Sequence, residues 1–258
     1  MTMHHTRSGR GKPLLLIHGL GGSHRSWDTV STALSNEREV IAVDLPGHGQ
    51  TAADVDSGTF AGLARGMEDW LINENLAGID MVGSSMGARL VLEMARRGRA
   101  GAVVALDPGG FWQGWERTFF RTTISASIAL VRAMQPVLPA ITKNVASRTA
   151  LMLQLSAKPW ALDPSLVLNE LRSFAGTSTF NSLVKDLATS PMQEGPAATA
   201  APVVIGWGRK DRLCLPAQAS RAMAAFPDAT MHWFEESGHF PMWDQPPETV
   251  RAILNATG

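Results

Sequence analysis

A serine between two glycines is the first pattern in this sequence that could do chemistry. The segment GSSMG at residues 83–87 separates an apolar run from an amphipathic one, which is G-x-S-x-G at a strand-to-helix turn. Flanking side chains would collide in so sharp a turn, and the central residue is held in a strained conformation, pointing outward. This spacing selects Ser85 over Ser84 as a nucleophile. The following helix N-terminus favours negative charge, so the Met86 N–H is a predicted oxyanion donor.

A serine hydroxyl needs a base, and His239 is the best-placed histidine. It lies in SGHF, after the last predicted strand and a polar bend, so its imidazole is expected at the same sheet edge as Ser85. A carboxylate that accepts the other imidazole N–H would fix the tautomer and stabilise the imidazolium. Asp211 in WGRKDRL is the first candidate for this acid, and Asp107 in ALDPGG is the alternative.

A glycine-rich turn, HGLGG at residues 18–22, ends the first clear strand. It brings backbone close to the same sheet edge, and the Leu20 N–H is the predicted second oxyanion donor. His18 is expected to brace this turn by hydrogen bonds rather than to act as a base. Asp44 in DLPGHG is interpreted as a structural turn residue.

The segments HGLGG, DLPGHG, GSSMG, GRKD and SGHF together resemble the α/β-hydrolase family. The resemblance covers nearly all of the chain except a central region. It implies the order nucleophile, acid and histidine along the chain, which assigns these roles to Ser85, Asp211 and His239.

Short apolar runs alternate with helical intervals through most of the sequence. Strands without polar alternation are buried on both faces, which is typical of a mostly parallel sheet covered by helices on both sides. The predicted strands are Pro13–His18, Val40–Leu45, Ile79–Gly83, Ala102–Leu106, Pro202–Trp207 and Thr230–Phe234. The fold class is therefore predicted to be α/β.

The region 111–191 breaks this alternation, because it has helix-favouring runs but no convincing buried strand. It is predicted to be a helical cap, inserted into a core made of residues 1–110 and 192–258. Large apolar groups in the cap and after His239 predict an apolar pocket wall. The residues predicted for this wall are Phe111, Trp112, Met134, Trp160, Phe240, Met242 and Trp243.

Length and charge limit the classes of function. A chain of 258 residues suits one α/β domain with an insertion, and 23 basic residues balance 23 acidic ones. Such a chain has no strong field to attract nucleic acid or an anionic membrane. A single cysteine and no signal peptide or apolar run long enough to span a bilayer predict a cytoplasmic location. No metal or organic cofactor is predicted, and His4 and His5 are expected in a disordered tail.

The predicted function is hydrolysis of a small to medium apolar ester through an acyl-enzyme, which makes the partner a small molecule. One alternative is carbon–carbon bond hydrolysis of a vinylogous diketone, with Arg89, Arg117 or Arg121 contacting the substrate carboxylate. Lactonase and perhydrolase activities share the same fold and residues. A small-ligand receptor that retains these residues is the non-enzymatic alternative. The sequence sets no oligomeric state.

Overall fold

The computed structural model describes residues 2–258, which form a mostly parallel seven-stranded sheet in the order β1-β3-β2-β4-β5-β6-β7. The strands are β1 (His5–Ser8), β2 (Pro13–Ile17), β3 (Glu39–Val43), β4 (Asp80–Ser84), β5 (Val103–Leu106), β6 (Val203–Gly208) and β7 (Thr230–Phe234). Strand β1 pairs antiparallel with β3, and the other neighbours pair in parallel. The predicted α/β class is confirmed, and all six predicted strands are present.

Helices connect the strands and cover both faces of the sheet. They are α1 (Asp28–Ser35), α2 (Phe60–Asn73), α3 (Met86–Arg96), α4 (Trp115–Ala133), α5 (Leu138–Lys143), α6 (Val145–Met152), α7 (Pro164–Gly176), α8 (Phe180–Thr189), α9 (Ala219–Ala225), α10 (Pro241–Asp244) and α11 (Pro246–Thr257). No helix within residues 2–258 has both the length and the apolar character required to cross a membrane.

Strand β2 shows why the apolar runs lack polar alternation. Leu15 and Ile17 belong to the core on one face of the sheet, with residues of α2 and α3. Leu14 and Leu16 belong to the core on the opposite face, with residues of α1 and α11. Successive side chains of a strand point to opposite faces, so both sets must be apolar when helices cover both faces.

The insertion between β5 and β6 contains the five α-helices α4–α8 and the 3₁₀ helix Pro159–Ala161. The helix-favouring runs Thr118–Met134 and Pro164–Phe174 predict α4 and α7, but the sequence did not separate α5, α6 and α8, which have 6, 8 and 10 residues. Such short helices span too few turns for a clear periodic pattern.

The N-terminal segment is ordered, contrary to the expectation that His4 and His5 belong to a disordered tail. His5 pairs with Val43 at the start of β1. The His4 backbone accepts a 2.8 Å hydrogen bond from the Asp44 N–H and donates one to Thr51 Oγ1. The open edge of β3 offers a row of backbone groups to any strand, so a polar segment is fixed there without an apolar signal in its sequence.

Candidate active site

The turn between β4 and α3 holds Ser85 in a conformation that non-glycine residues rarely adopt, with φ 57° and ψ −114°. Added Cβ atoms on Gly83 and Gly87 would lie 2.2 Å from the Gly87 and Ile17 carbonyl oxygens, respectively. Both glycines are therefore required by close backbone approach. The strained turn directs Ser85 into a cavity above the carboxyl ends of the strands.

His239 lies between Ser85 and Asp211. Its Nε2 is 2.9 Å from Ser85 Oγ, and its Nδ1 is 2.8 Å from Asp211 Oδ2. Asp211 Oδ1 accepts hydrogen bonds from the Leu213 and Cys214 N–H groups, at 2.7 and 3.1 Å. The carboxylate is thus held by backbone on one side and directs its second oxygen to the imidazole.

Asp107 lies beside Asp211 rather than against the imidazole. Its Oδ1 accepts a 2.8 Å hydrogen bond from the Gly208 N–H, and its side chain is fully buried. Burial, followed by the neighbouring Asp211 charge, raises the pKa of Asp107 well above its ordinary value. Two adjacent buried carboxyls resist ionising together, and the direction of this pKa shift favours a proton on Asp107 rather than a second negative charge beside Asp211.

The two predicted oxyanion donors belong to residues near Ser85. Met86 is the first residue of α3, and Leu20 lines the same cavity as Ser85. Within residues 2–258 no group accepts a hydrogen bond from either backbone N–H. The turn passes close to the serine, since a Cβ on Gly19 would lie 3.1 Å from Ser85 Cβ. Both N–H groups are thus free to bind an oxygen there.

His18 braces this turn, as the sequence predicts. Its Nδ1 donates to the Gly19 carbonyl at 2.7 Å, and its Nε2 accepts from the Leu45 N–H at 3.0 Å. Burial lowers the pKa of His18 to about 4. The ring is therefore neutral, and both of its nitrogens are hydrogen-bonded to backbone groups. His18 thus has a structural role in this turn.

Asp244 anchors the loop that carries His239, a role that the sequence analysis missed. Its carboxylate accepts hydrogen bonds from the Gly238 and Ala157 N–H groups, at 2.7 and 2.8 Å. The His239 N–H donates to the Leu155 carbonyl at 2.9 Å. These hydrogen bonds tie the insertion to the loop that carries His239. The only signal in the sequence was an acidic residue five positions after His239, and such a spacing predicts no local structure.

A largely apolar cavity of about 80 Å³ lies over Ser85 and His239. One wall is a stripe of α4 formed by Phe120, Ile124, Ile128 and Val131, with Ser127 beside it. The remaining lining residues come from the other helices of the insertion and from core loops. They are Leu20, Leu151, Gln154, Leu155, Leu171, Phe174, Phe180, Leu213 and Phe240.

Of the seven residues predicted for the pocket wall, only Phe240 lines this cavity. Phe111 and Met242 are fully buried in the cores beneath it, and Trp112 stacks behind Phe120 with ring centroids 4.4 Å apart. Trp160 is 55% exposed.

The other two predicted residues also lie outside the lining. Met134 packs beside the core cluster of the opposite sheet face, and the Trp243 indole donates to the Ser26 carbonyl. Residue size was therefore the wrong signal. The spacing of residues 120, 124, 128 and 131 marks one face of a helix and identifies the cavity wall in α4.

A family model described as "Alpha/beta hydrolase family" matches residues 14–253. The chain belongs to this family. The resemblance seen in the sequence motifs is therefore confirmed, and the fold is the α/β-hydrolase fold.

Individual relatives are distant. An uncharacterized protein of Mycobacterium tuberculosis is 28% identical over 262 residues, which cover 95% of this chain and 75% of the relative. A 2-hydroxy-6-oxononadienedioate/2-hydroxy-6-oxononatrienedioate hydrolase of Dechloromonas aromatica is 24% identical over 276 residues, covering 99% and 90%. The solved structure of an esterase from Exiguobacterium antarcticum is 16% identical, with a TM-score of 0.80 and coverage of 99% and 95%. These similarities support a hydrolase, and the structural likeness shows the fold alone.

Proposed function

We propose that this hydrolase is a serine carboxylesterase that acts on small apolar esters. The observation that carries the proposal is the continuous hydrogen-bonded series from Ser85 Oγ through His239 to Asp211, which begins in an apolar cavity. A serine is activated when a base lies within hydrogen-bond reach of its hydroxyl and a third group orients that base.

The proposed reaction follows from these contacts. Ser85 Oγ attacks the ester carbonyl carbon and gives its proton to His239 Nε2, while Asp211 stabilises the imidazolium. The Leu20 and Met86 N–H groups bind the oxyanion. His239 then protonates the leaving alcohol, which leaves an acyl group on Ser85. A water molecule gives a proton to His239 and attacks the acyl carbon, and His239 then returns that proton to Ser85 Oγ as the carboxylic acid leaves.

The cavity supports a short apolar acyl or alkoxy group. Its volume of about 80 Å³ is well below the roughly 300–1,000 Å³ of pockets that hold drug-sized ligands, which favours a short chain. Among the described residues that line it, none is lysine or arginine. An anionic substrate would therefore lose its hydration without gaining a charged partner.

The relative from Dechloromonas aromatica makes carbon–carbon bond hydrolysis the second candidate. That reading requires a cation for a substrate carboxylate, and the three arginines considered for this role lie elsewhere. Arg89 donates to the Pro191 carbonyl and stacks over Phe60. Arg117 donates to the Ser190 carbonyl, and Arg121 is exposed. These contacts favour ester hydrolysis over carbon–carbon bond hydrolysis. The activity test described below distinguishes ester hydrolysis from lactone hydrolysis, peracid formation and a receptor role.

We further propose that residues 111–191 act as a cap over a core of residues 1–110 and 192–258. Most of the cavity wall comes from the helices α4, α6, α7 and α8. Ser173 Oγ donates to the Gly21 carbonyl at 2.7 Å, which ties α7 to the glycine-rich turn. This cap therefore sets the size of the cavity. A cytoplasmic location stays a prediction from the sequence.

The proposal is tested by hydrolysis of p-nitrophenyl acetate, butyrate, octanoate and decanoate. Wild type should prefer the short esters in kcat/KM, and Ser85→Ala should lose at least about 10³-fold in kcat. Ser84→Ala is the matched control, because this neighbouring hydroxyl is buried and has no hydrogen-bond partner among the described residues. Circular dichroism checks that both variants fold.

Each outcome discriminates between the readings. Equal activity of the Ser85→Ala and wild-type proteins would refute the serine mechanism. Turnover of a 2-hydroxy-6-oxo-dienoate without ester turnover would favour carbon–carbon bond hydrolysis. Preferred turnover of a lactone or formation of a peracid would select those activities, and an inert but ligand-binding protein would select the receptor reading.

A further inference from the structure

A cluster of two histidines and an aspartate lies outside the candidate active site. His4 Nδ1 is 3.0 Å from Asp44 Oδ2, and His24 Nδ1 is 2.9 Å from Asp44 Oδ1. The two nitrogens and a carboxylate oxygen all lie within 4.8 Å of one another. Three side chains with metal-ligating atoms thus converge from three separate parts of the chain.

The cluster has a buried anionic side and a solvent-facing side. The Asp44 side chain is fully buried, whereas those of His4 and His24 are 32% and 16% exposed. Both imidazoles therefore keep contact with water. His24 and Asp44 also line a surface groove that shares no lining residue with the cavity over Ser85.

The Asp44 carboxylate is held in place by backbone groups. Its Oδ1 accepts a 2.6 Å hydrogen bond from the His24 N–H, and its Oδ2 accepts a 2.9 Å hydrogen bond from the Gln50 N–H. Each carboxylate oxygen therefore has one backbone donor and one imidazole nitrogen beside it. A carboxylate fixed between two imidazoles is placed to share a cation with them.

Tetrahedral zinc binds imidazole nitrogen at about 2.0–2.1 Å and carboxylate oxygen at about 2.0–2.2 Å, which separates neighbouring ligand atoms by roughly 3.4 Å. The contacts in the cluster are 3.0 and 2.9 Å, so side-chain movements of about an ångström would open the position for an ion. Each imidazole would carry its proton on Nε2 and direct the Nδ1 lone pair to the metal. Water from the groove would complete the shell.

We propose that His4, His24 and Asp44 form a binding site for a divalent transition-metal ion of the zinc type. The mixture of two imidazoles and one carboxylate suits zinc better than calcium or magnesium, which prefer oxygen ligands. Because the groove supplies water, the site resembles an open rather than a closed coordination shell.

The ion would join three structural elements near the candidate active site. His4 directly precedes the edge strand β1, Asp44 directly follows β3, and His24 begins the 3₁₀ helix His24–Trp27 that follows the glycine-rich turn. The His4 and Asp44 backbones are already hydrogen-bonded to each other. Bound metal would therefore stabilise the N-terminal edge of the sheet and the turn that carries Leu20, without contacting the reacting atoms.

The test is isothermal titration of the whole chain with ZnCl₂, after treatment with EDTA. Wild type should bind one ion, and His4→Ala and His24→Ala should each weaken binding roughly tenfold or more. Zinc should also raise the melting temperature of wild type but not of His4→Ala. A zinc anomalous signal between the three side chains would identify the site directly.

Two controls separate this site from other zinc-binding groups. His232→Ala removes a half-buried histidine that faces Glu248 on the other edge of the sheet, and it should leave the affinity unchanged. Cys214→Ser removes a potential ligand from the buried Asp211–Cys214–His239 cluster, and binding should again be unchanged. Undiminished binding by both His4→Ala and His24→Ala, or binding that depends on Cys214, would overturn the proposal.

Discussion

His239 Nδ1 lies 2.8 Å from Asp211 Oδ2, and both side chains are completely shielded from solvent. The second carboxyl at this end of the sheet, Asp107, lies against Asp211 and the Gly208 N–H. The two aspartates follow adjacent strands, but only one contacts the imidazole. Substitution of Asp211 is therefore expected to lower kcat much more than substitution of Asp107.

Asp211→Asn should lower kcat by about 10³–10⁴-fold, because an amide fails to hold the His239 tautomer that accepts the Ser85 proton. The change is nearly isosteric, so the fold should persist. Steady-state hydrolysis of a p-nitrophenyl ester, with circular dichroism as the folding control, measures the effect. Activity within a few-fold of wild type would contradict the assigned role of Asp211.

Asp107→Asn should stay within about a few-fold of wild-type kcat. An asparagine reproduces the neutral acid, since its oxygen accepts from the Gly208 N–H and its amide donates to Asp211. Asp107→Ala leaves the buried Gly208 N–H without its acceptor and should destabilise the protein by about 1–3 kcal/mol. Urea denaturation and ester hydrolysis of the two variants provide the measurement. A loss in Asp107→Asn as large as that in Asp211→Asn would make Asp107 the acid.

Ile124→Ala should shift the preference toward longer acyl chains, because it removes apolar volume from the α4 wall of the cavity. Each additional methylene that the larger cavity buries is worth about 0.8 kcal/mol, or roughly fourfold in kcat/KM. The measured quantity is the kcat/KM ratio of the hexanoate and acetate esters.

The matched control is Leu130→Ala on the same helix, where the side chain is 52% exposed. Its ester ratio should equal that of wild type. An equal shift in both variants would show that α4 affects specificity through stability rather than through the cavity wall.

Glu170→Gln should flatten the dependence of stability on pH. Burial is the main cause that raises the pKa of Glu170 from 4.5 to about 8, although Ser26 Oγ donates a hydrogen bond to it. The folded state therefore retains a proton that the unfolded state loses, and the unfolding free energy falls as pH rises between about 4.5 and about 8.

The expected gain of Glu170→Gln over wild type is largest above neutral pH. Relative to pH 4, it should reach roughly 3 kcal/mol at pH 7, because each pH unit between the two pKa values contributes about 1.4 kcal/mol. Urea denaturation at pH values from 4 to 8 measures this difference. Parallel stability curves for the two proteins would rule out a protonated Glu170.

Much of the fold follows from local sequence patterns. Most of the six predicted strands are apolar because helices cover both faces, and the glycines around Ser85 are required by backbone contacts of 2.2 Å. The antiparallel strand β1 escaped prediction, since its residues are polar and gain their order by pairing with β3.

The composition of the cavity wall was predicted poorly for a related reason. Large side chains such as Trp160 and Phe111 were expected in the wall, yet one is exposed and the other is buried beneath the cavity. Which face of an inserted helix points toward Ser85 depends on how that helix packs on the core. Residue size carries no such information.

The sequence by itself determined the α/β core and the position of Ser85 at its turn, because these depend on local periodicity and on glycines that a tight turn requires. Its resemblance to the α/β-hydrolase family implied the order in which Ser85, Asp211 and His239 occur. Only the tertiary structure decided that Asp211 rather than Asp107 contacts His239, and that His4 meets His24 and Asp44. Such contacts join residues far apart in the chain, so their geometry is set by the packing of whole elements rather than by neighbouring residues.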